Sequence, residues 1–403
     1  MREATDTAND PRRWGRGRVL RAIRQAGAIA RVDIARQTGI SAATVTALTA
    51  ELLSEGLIER IHPEDRAPDA GRRGRPREAL RLRGEARLVA GVKVSHRVIT
   101  VLLVDFTGAE IGLHEAPRAE IASAPAVLAD AIVAATTAAC ARHGRRLEDV
   151  SGICVGLAGQ VDGARGHVHW SSALDRRNVD LAPALAARAP CPVFLENDAN
   201  LVAKAEQLFG RGRGVDNFLV VTVQHGIGMG VILGGELHRG ARGCSGELGH
   251  SKVVSDGALC QCGQRGCLEA YAGGYGLRMR AAEAGLKDMS VEDLRQAEAA
   301  GDPVAIEVLS EARQHFARVL ANLVTVFDPE LIVLAVEAEE GHPLCTPEVL
   351  EQVRQLSLSV DAPPTEIDVQ FRDDRMWAEG ATAYGIERVE ALAVERRPLG
   401  QSA

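Results

Sequence analysis

The chain has 403 residues, 46% hydrophobic and 25% charged, with a net charge of −7. That length excludes a single small module and leaves room for about two to four units, each with its own core. No run approaches ~18 consecutive apolar residues, so no membrane span is expected; the polar opening MREATDTANDPRRW lacks the apolar stretch of a secretory signal, and a cytoplasmic location is expected.

The front of the chain is basic. Residues 1–87 hold 18 Arg, no Lys and 12 Asp or Glu, a net of +6 that leaves −13 for the rest. Such asymmetry fits a nucleic-acid partner, or a solvated arginine surface. GRVLRAIRQAG puts Val19, Leu20, Ile23 and Ala26 on one helical face. RVDIARQTG holds Ile34 and Ala35 in a short second helix that stops at Gly39. A third helix opens at Ser41, a good N-cap, and carries Val45, Leu48, Leu52 and Leu53 at helical spacing. Two short helices joined by a glycine-containing turn match a helix-turn-helix, although a plain three-helix bundle satisfies the same pattern.

In a helix-turn-helix the second helix enters the major groove by its N-terminal end. Here that end presents Ser41, Ala42, Ala43, Thr44 and Thr46. Small side chains admit close approach, hydroxyls reach phosphates or base edges, and methyls can touch thymine. GLIERIHP and REALRLRG then read as the two strands of a wing. Between them Arg72, Arg73, Arg75 and Arg77 surround Gly74-Pro76, resembling the Arg-Gly-Arg-Pro core of AT-hook peptides, which suits a narrow minor groove. A flexible linker is the other reading of this segment.

From Leu88 the pattern changes. RLVAGVKV, VITVLLVDF and VSGICVGLAG are strand-like, and PAVLADAIVAATTAACARHG is a helix between the second and third. The first two flank a short tip, Ser95-His96-Arg97, as in a tight hairpin. CPVFLEND is a buried strand ending in polar residues, and VDNFLVVTVQHGIGMGVILGGELHRG repeats strand, turn, strand. A long helix then places Val308, Ala312, Phe316, Leu320, Leu323 and Phe327 on one face, before a late strand, DPELIVLAV. Two similar series predict an α/β body of two related lobes with a cleft between them.

The strongest chemical signal is GELGHSKVVSDGALCQCGQRGCLEAY. His250, Cys260, Cys262 and Cys267 supply one imidazole and three sulfurs within 18 residues. In a reducing compartment this set suits one closed, tetrahedral structural zinc per chain. The alternative is four buried, unligated residues. Cys140, Cys154, Cys191, Cys244 and Cys345 lie singly in apolar surroundings and read as core.

These residues together resemble the ROK family (repressor, open reading frame, kinase), in its regulator branch with a winged helix-turn-helix. The resemblance covers residues 17–389 and is most specific at 243–271 and in FLENDAN. It implies a winged helix-turn-helix followed by a two-lobed actin-like/sugar-kinase (ribonuclease H-like) body. The implied divisions are a tail at 1–12, the DNA-binding domain at 13–87, one lobe at 88–200, a second at 201–395 with the zinc loop and a returning C-terminal helix, and a tail at 396–403. Motif by motif it implies sugar-binding roles for Gly159, Gln160, Ser172, Asn197, Asp198, Glu247, His250 and Glu269. Carboxylates accept bonds from hydroxyls, and His250 can bind zinc through one nitrogen and a hydroxyl through the other. In ROK kinases Asp198 would be the base; helix capping is its other reading, since ANLVAKAEQLFG follows directly.

The nucleotide elements depart from the family. Its first phosphate hairpin reads approximately Gly-x-Asp-x-Gly-Gly-Thr; the matching positions are Gly91, Lys93, Ser95, His96 and Arg97. Gly-Thr-Gly-Ile-Gly-Gly-Gly becomes Gln224-His225-Gly226-Ile227-Gly228-Met229-Gly230, and a later Gly-Gly pair becomes Ala335-Val336. Phosphoryl transfer depends on positioning and neutralising phosphates, so loss of kinase activity is expected. The resulting expectation is a sugar-responsive repressor with double-stranded operator DNA and a neutral sugar as partners, no membrane partner, and a homodimer or homotetramer. The alternative is a ROK-type ATP-dependent sugar kinase with an added DNA-binding module.

Overall fold

The computed structural model describes residues 11–61, 78–337, 341–358, 361–373 and 375–395. Arg72, Arg73, Arg75 and Arg77 of the expected wing tip lie outside the described residues.

The head has the expected helices, Pro11–Ala26, Arg31–Thr38 and Ala42–Ser54. Val19, Leu20, Ile23, Ile34, Val45, Leu48 and Leu52 form its core. Ala26 does not join them: it is the exposed last residue of its helix, and Ala22 fills the inner face instead. Gly39 ends the second helix at φ 66°, a left-handed conformation that glycine adopts without strain. The Ser41 Oγ accepts the Thr44 N–H at 3.2 Å, as an N-cap should. Strands Ile58–Ile61 and Ala79–Leu82 pair antiparallel, and Ile29–Ala30 adds to the far side of the second. A two-residue strand has no period to read, so the sequence gives no sign of this third member.

Two five-stranded sheets organise the body. In the first, Val193–Asn197, Val150–Leu157 and Leu88–Val94 run parallel, followed by antiparallel Val98–Asp105 and Glu110–Pro117. In the second, Phe218–Val223 lies between the antiparallel Ile227–Leu233 and the parallel Leu331–Glu337, with Glu236–Leu237 and Glu366–Arg372 at the edges. The edge strand Glu110–Pro117 escapes sequence reading because Ile111 and Leu113 are its only large apolar residues, too few to show a period. Helix Pro303–Phe327 buries Val308, Ala312, Phe316, Leu320 and Leu323 as expected, and Phe327 is half-buried at its end. Helix Pro125–Arg142 is long and apolar enough by composition to cross a membrane, although Asp130, Thr136, Thr137 and Arg142 interrupt its apolar run. Its Leu128, Ala129, Ile132 and Ala139 belong to the core of the first lobe, which accounts for that composition.

The C-terminal helix, Arg375–Glu395, follows the last strand of the second sheet but packs on the first. Its partners are strands Leu88–Val94 and Val150–Leu157 and helix Asp198–Leu208. Gly91, aligned above with a phosphate hairpin, has a packing role here: an added Cβ would lie 2.5 Å from the Ala378 carbonyl oxygen. The far end of this helix reaches the head. Ala393 and Phe106 share the head's apolar core, and Arg24 donates to Glu390 at 3.0 Å and to the Phe106 carbonyl at 2.8 Å.

Candidate ligand cavity and metal cluster

Strand ends and hairpin tips of both sheets enclose a cavity of about 240 Å³. Gly159, Ser172, Asn197, Asp198, Glu247, His250 and Glu269 all line it, although 110 residues separate the first from the last. Gln160 is not among the lining residues; it sits in the short strand Gly159–Asp162, opposite Trp170.

The strand-to-helix junction at Asn197–Asp198 resolves the question of capping. Asn197 is the cap: its Oδ1 accepts the Asn200 N–H at 3.2 Å while its Nδ2 donates to the Gly159 carbonyl at 2.8 Å. Asp198 is the first helical residue, and its Oδ1 accepts the Ala199 N–H at 2.9 Å. Burial pushes the Asp198 carboxyl above the usual carboxylate range, and the Lys93 charge pulls the other way. Beneath this junction Glu196 is fully buried, held by Arg239 at 2.7 Å and by Asn200 at 3.0 Å. Sequence reading missed this support, since a buried carboxylate is recognised by a partner 43 residues away.

Glu269 enters from the second lobe. Its Oε2 accepts the Ile227 N–H at 3.0 Å, and a Cβ at Gly226 would lie 2.5 Å from the same oxygen. This retained glycine of the second phosphate loop is therefore required by Glu269, without reference to a nucleotide. Burial also raises the Glu247 carboxyl, opposed by His250.

His250 faces two ways. Its Nε2 lies 3.7 Å from Glu247 in the cavity, and its Nδ1 lies 3.7 Å from the Cys260 sulfur. The donor atoms of His250, Cys260, Cys262 and Cys267 all fall within 4.8 Å of one another, and the Cys262 and Cys267 sulfurs are 3.8 Å apart. Tetrahedral ligands on bonds of ~2.3 Å are separated by about 3.8 Å, so the set fits a metal of that geometry. Burial would push the Cys260 thiol up, but hydrogen bonds from His250, the Cys262 backbone and Tyr275 bring it down to about 6, towards the thiolate a metal requires.

Where a nucleotide would be expected, the two hairpin tips meet each other. His96 of the first lobe stands 6.1 Å from His225 of the second, centre to centre and edge-on, and its Nε2 lies 3.2 Å from the Ser172 hydroxyl. Burial holds the His225 imidazole below its ordinary range, helped by Arg278 and His96. A second cavity of about 600 Å³ begins behind His225 and includes Arg278, Glu292, Arg295, Glu337 and His342. Lys93, Arg118, Trp170 and Trp377 also line the first cavity. Trp170 stands two residues before Ser172, so HWSSAL carried a hint of it; Trp377 comes from the C-terminal helix and had no local signal.

At the head, Ser41, Ala42, Ala43, Thr44 and Thr46 are all exposed, as a groove-reading surface requires. The Thr46 hydroxyl is already bonded to the Ala42 carbonyl at 2.8 Å.

Comparison with known proteins finds two family matches along the chain. Residues 90–383 match the ROK family and residues 14–66 match the MarR family. The DNA-binding transcriptional repressor Mlc of Escherichia coli (strain K12) is 28% identical over 352 residues, covering 85% of each chain. A glucokinase of Streptomyces coelicolor is 33% identical over 264 residues, covering 61% of this chain and 81% of its own. The crystal structure of a ROK family transcriptional regulator, described as a homologue of the E. coli Mlc protein, superposes with a TM-score of 0.77 at 26% identity, over 95% of this chain and 98% of that one. With a family match over most of its length and a winged helix-turn-helix before it, this chain belongs to the ROK family.

Proposed function

We propose that this chain is a sugar-responsive, DNA-binding transcriptional regulator, a repressor of carbohydrate uptake or metabolism genes, which has lost kinase chemistry. The observation that carries this reading is the unequal fate of the cleft. The carboxylates Asp198, Glu247 and Glu269 converge on one cavity, while Lys93, Ser95 and His96 replace the acidic and glycine positions of the phosphate hairpin. A buried ammonium repels the divalent cation that a carboxylate there would attract, and side chains at the tip remove the close backbone approach that phosphates need.

The ligand is a sugar, held through hydroxyl bonds to Asn197, Asp198, Glu247, His250 and Glu269; the three carboxylates favour a neutral one. Zinc at His250, Cys260, Cys262 and Cys267 would hold the loop that presents Glu247 and Glu269. Ser41, Ala42, Ala43, Thr44 and Thr46 enter the major groove, with Arg72, Arg73, Arg75 and Arg77 in the minor groove. The protein acts in the cytoplasm as a homodimer or homotetramer that spaces two heads on one operator.

The test is a titration of DNA from upstream of its own gene, with and without a panel of free hexoses, pentoses and N-acetylhexosamines. Salt-sensitive binding that one sugar weakens is expected; tight binding that no sugar changes would remove the effector. A coupled ADP-release assay over the same panel should stay at background, and turnover abolished by Asp198→Asn would replace this reading with that of a kinase.

A further inference from the structure

The C-terminal helix touches both working parts of the molecule. Its first turn brings Trp377 into the ligand cavity, where the ring is 2% exposed. The Lys93 ammonium stands 4.2 Å from the centre of that ring. Among the described residues the buried indole Nε1 has no hydrogen-bond partner, and packing and the cation hold the ring. Lys93 is itself 4% exposed, and its charge acts on Asp198. Thirteen residues on, about 20 Å along a helix, Glu390 accepts from Arg24 at 3.0 Å. The Ala393 carbonyl accepts from Arg16 at 3.5 Å, and Arg16 is bonded in turn to Glu55 at the end of the groove-facing helix, at 2.8 Å. Between these ends Ala378, Ala381 and Ile386 are fully buried, which leaves the helix little freedom to bend.

Resting on the reading that a sugar in this cavity controls DNA binding, we propose that Lys93 is the positioning residue of the response. Its ammonium fixes Trp377 when the cavity is empty. A sugar hydroxyl beside Asp198 then competes for the same ammonium, and the C-terminal helix carries the displacement of Trp377 to Arg24 and Arg16. The physical basis is a choice of partner. An ammonium has three donors and no acceptor, and a hydroxyl oxygen accepts a directed bond where the ring face offers a diffuse one. The sugar therefore interacts differently with the two positions of Trp377, as any ligand that shifts an equilibrium must. The position matters because Lys93 stands where a ROK kinase is expected to carry a carboxylate: the residue that denies a divalent cation its ligand would be the one that reports the sugar.

The test uses the full chain, its upstream DNA, and whichever of glucose, N-acetylglucosamine and xylose binds it by calorimetry. DNA affinity is measured without sugar and at saturation for wild type, Lys93→Met, Lys93→Arg, Glu390→Gln and the exchanged pair Arg24→Glu/Glu390→Arg. Wild type should shift by at least about fivefold. Lys93→Met and Glu390→Gln, each verified as saturated, should shift by less than about twofold, below the usual range of coupling. Lys93→Arg, which keeps a cation over the ring, should retain the response, and the exchanged pair should recover part of what Glu390→Gln loses. A saturated Lys93→Met chain that still shifts by the wild-type factor overturns the proposal. A wild-type chain that binds none of the three sugars, or binds one without any shift, overturns instead the functional reading beneath it.

Discussion

The two halves of the cleft had different fates. On the acidic side, Asn197, Asp198, Glu247, His250 and Glu269 come from three separated segments and still converge. Four of them are secured by backbone groups or by the Cys/His cluster: Asn197 by Asn200 and Gly159, Asp198 by Ala199, Glu269 by Ile227, His250 by Cys260. On the nucleotide side the tips have filled with imidazoles that meet across the gap. The glycines left there serve other ends, as Gly226 does for Glu269 and Gly91 for the C-terminal helix. The acidic side is built from residues that are also one another's structural partners, whereas the tips depart from the family's phosphate-loop pattern.

That contrast can be tested by breaking each side. The largest effect should follow Cys262→Ser. Removing one of four ligands forfeits part of the ~10–16 kcal/mol that structural zinc sites supply; metal analysis should fall below one zinc per chain, and proteolysis should open the loop at 243–271. Next comes His342 on the nucleotide side, whose imidazole burial pushes down to about 4. Its folded value lies below the ordinary ~6.5, so the folded state binds fewer protons. The stability it contributes is complete above that value and is lost as pH falls towards 4, by up to about 3 kcal/mol. Denaturant titrations should show that slope, and His342→Gln should flatten it. Asp198→Asn should weaken sugar binding by about 1.5–3 kcal/mol, the usual worth of a hydrogen bond to a charged group, in calorimetry. The smallest effect belongs to the head: Ser41→Ala should cost about 1 kcal/mol in thermal unfolding through the lost cap.

Local chemistry was legible in advance and distant chemistry was not. Gly39, Ser41 and the four metal-ligand residues each act on neighbours within about 20 positions, and sequence spacing found them. The convergence of Asp198 with Glu247 and Glu269 was reached only through family motifs, because nothing in the local pattern of either segment points to the other. The support of Glu196 by Arg239 and the contact of Trp377 with Lys93 join segments that share no pattern at all. The edge strand Glu110–Pro117 failed for another reason: only Gly112 and His114 of its eight residues are buried, so no apolar alternation marks it.

The bond from Arg16 to Ala393 spans 377 positions, and this bears on the order in which the molecule is made. The strands of the head are complete at Leu82, yet its partners Glu390 and Ala393 are added more than 300 positions later. At about 5–20 residues per second the head waits roughly 15 to 60 s for them. A chain cut short by a premature stop or a nick near residue 390 would keep its DNA-reading surface and lose its tether to the cavity. Such fragments should occupy operators without answering to sugar, so the length of the chain is itself a condition of its regulation.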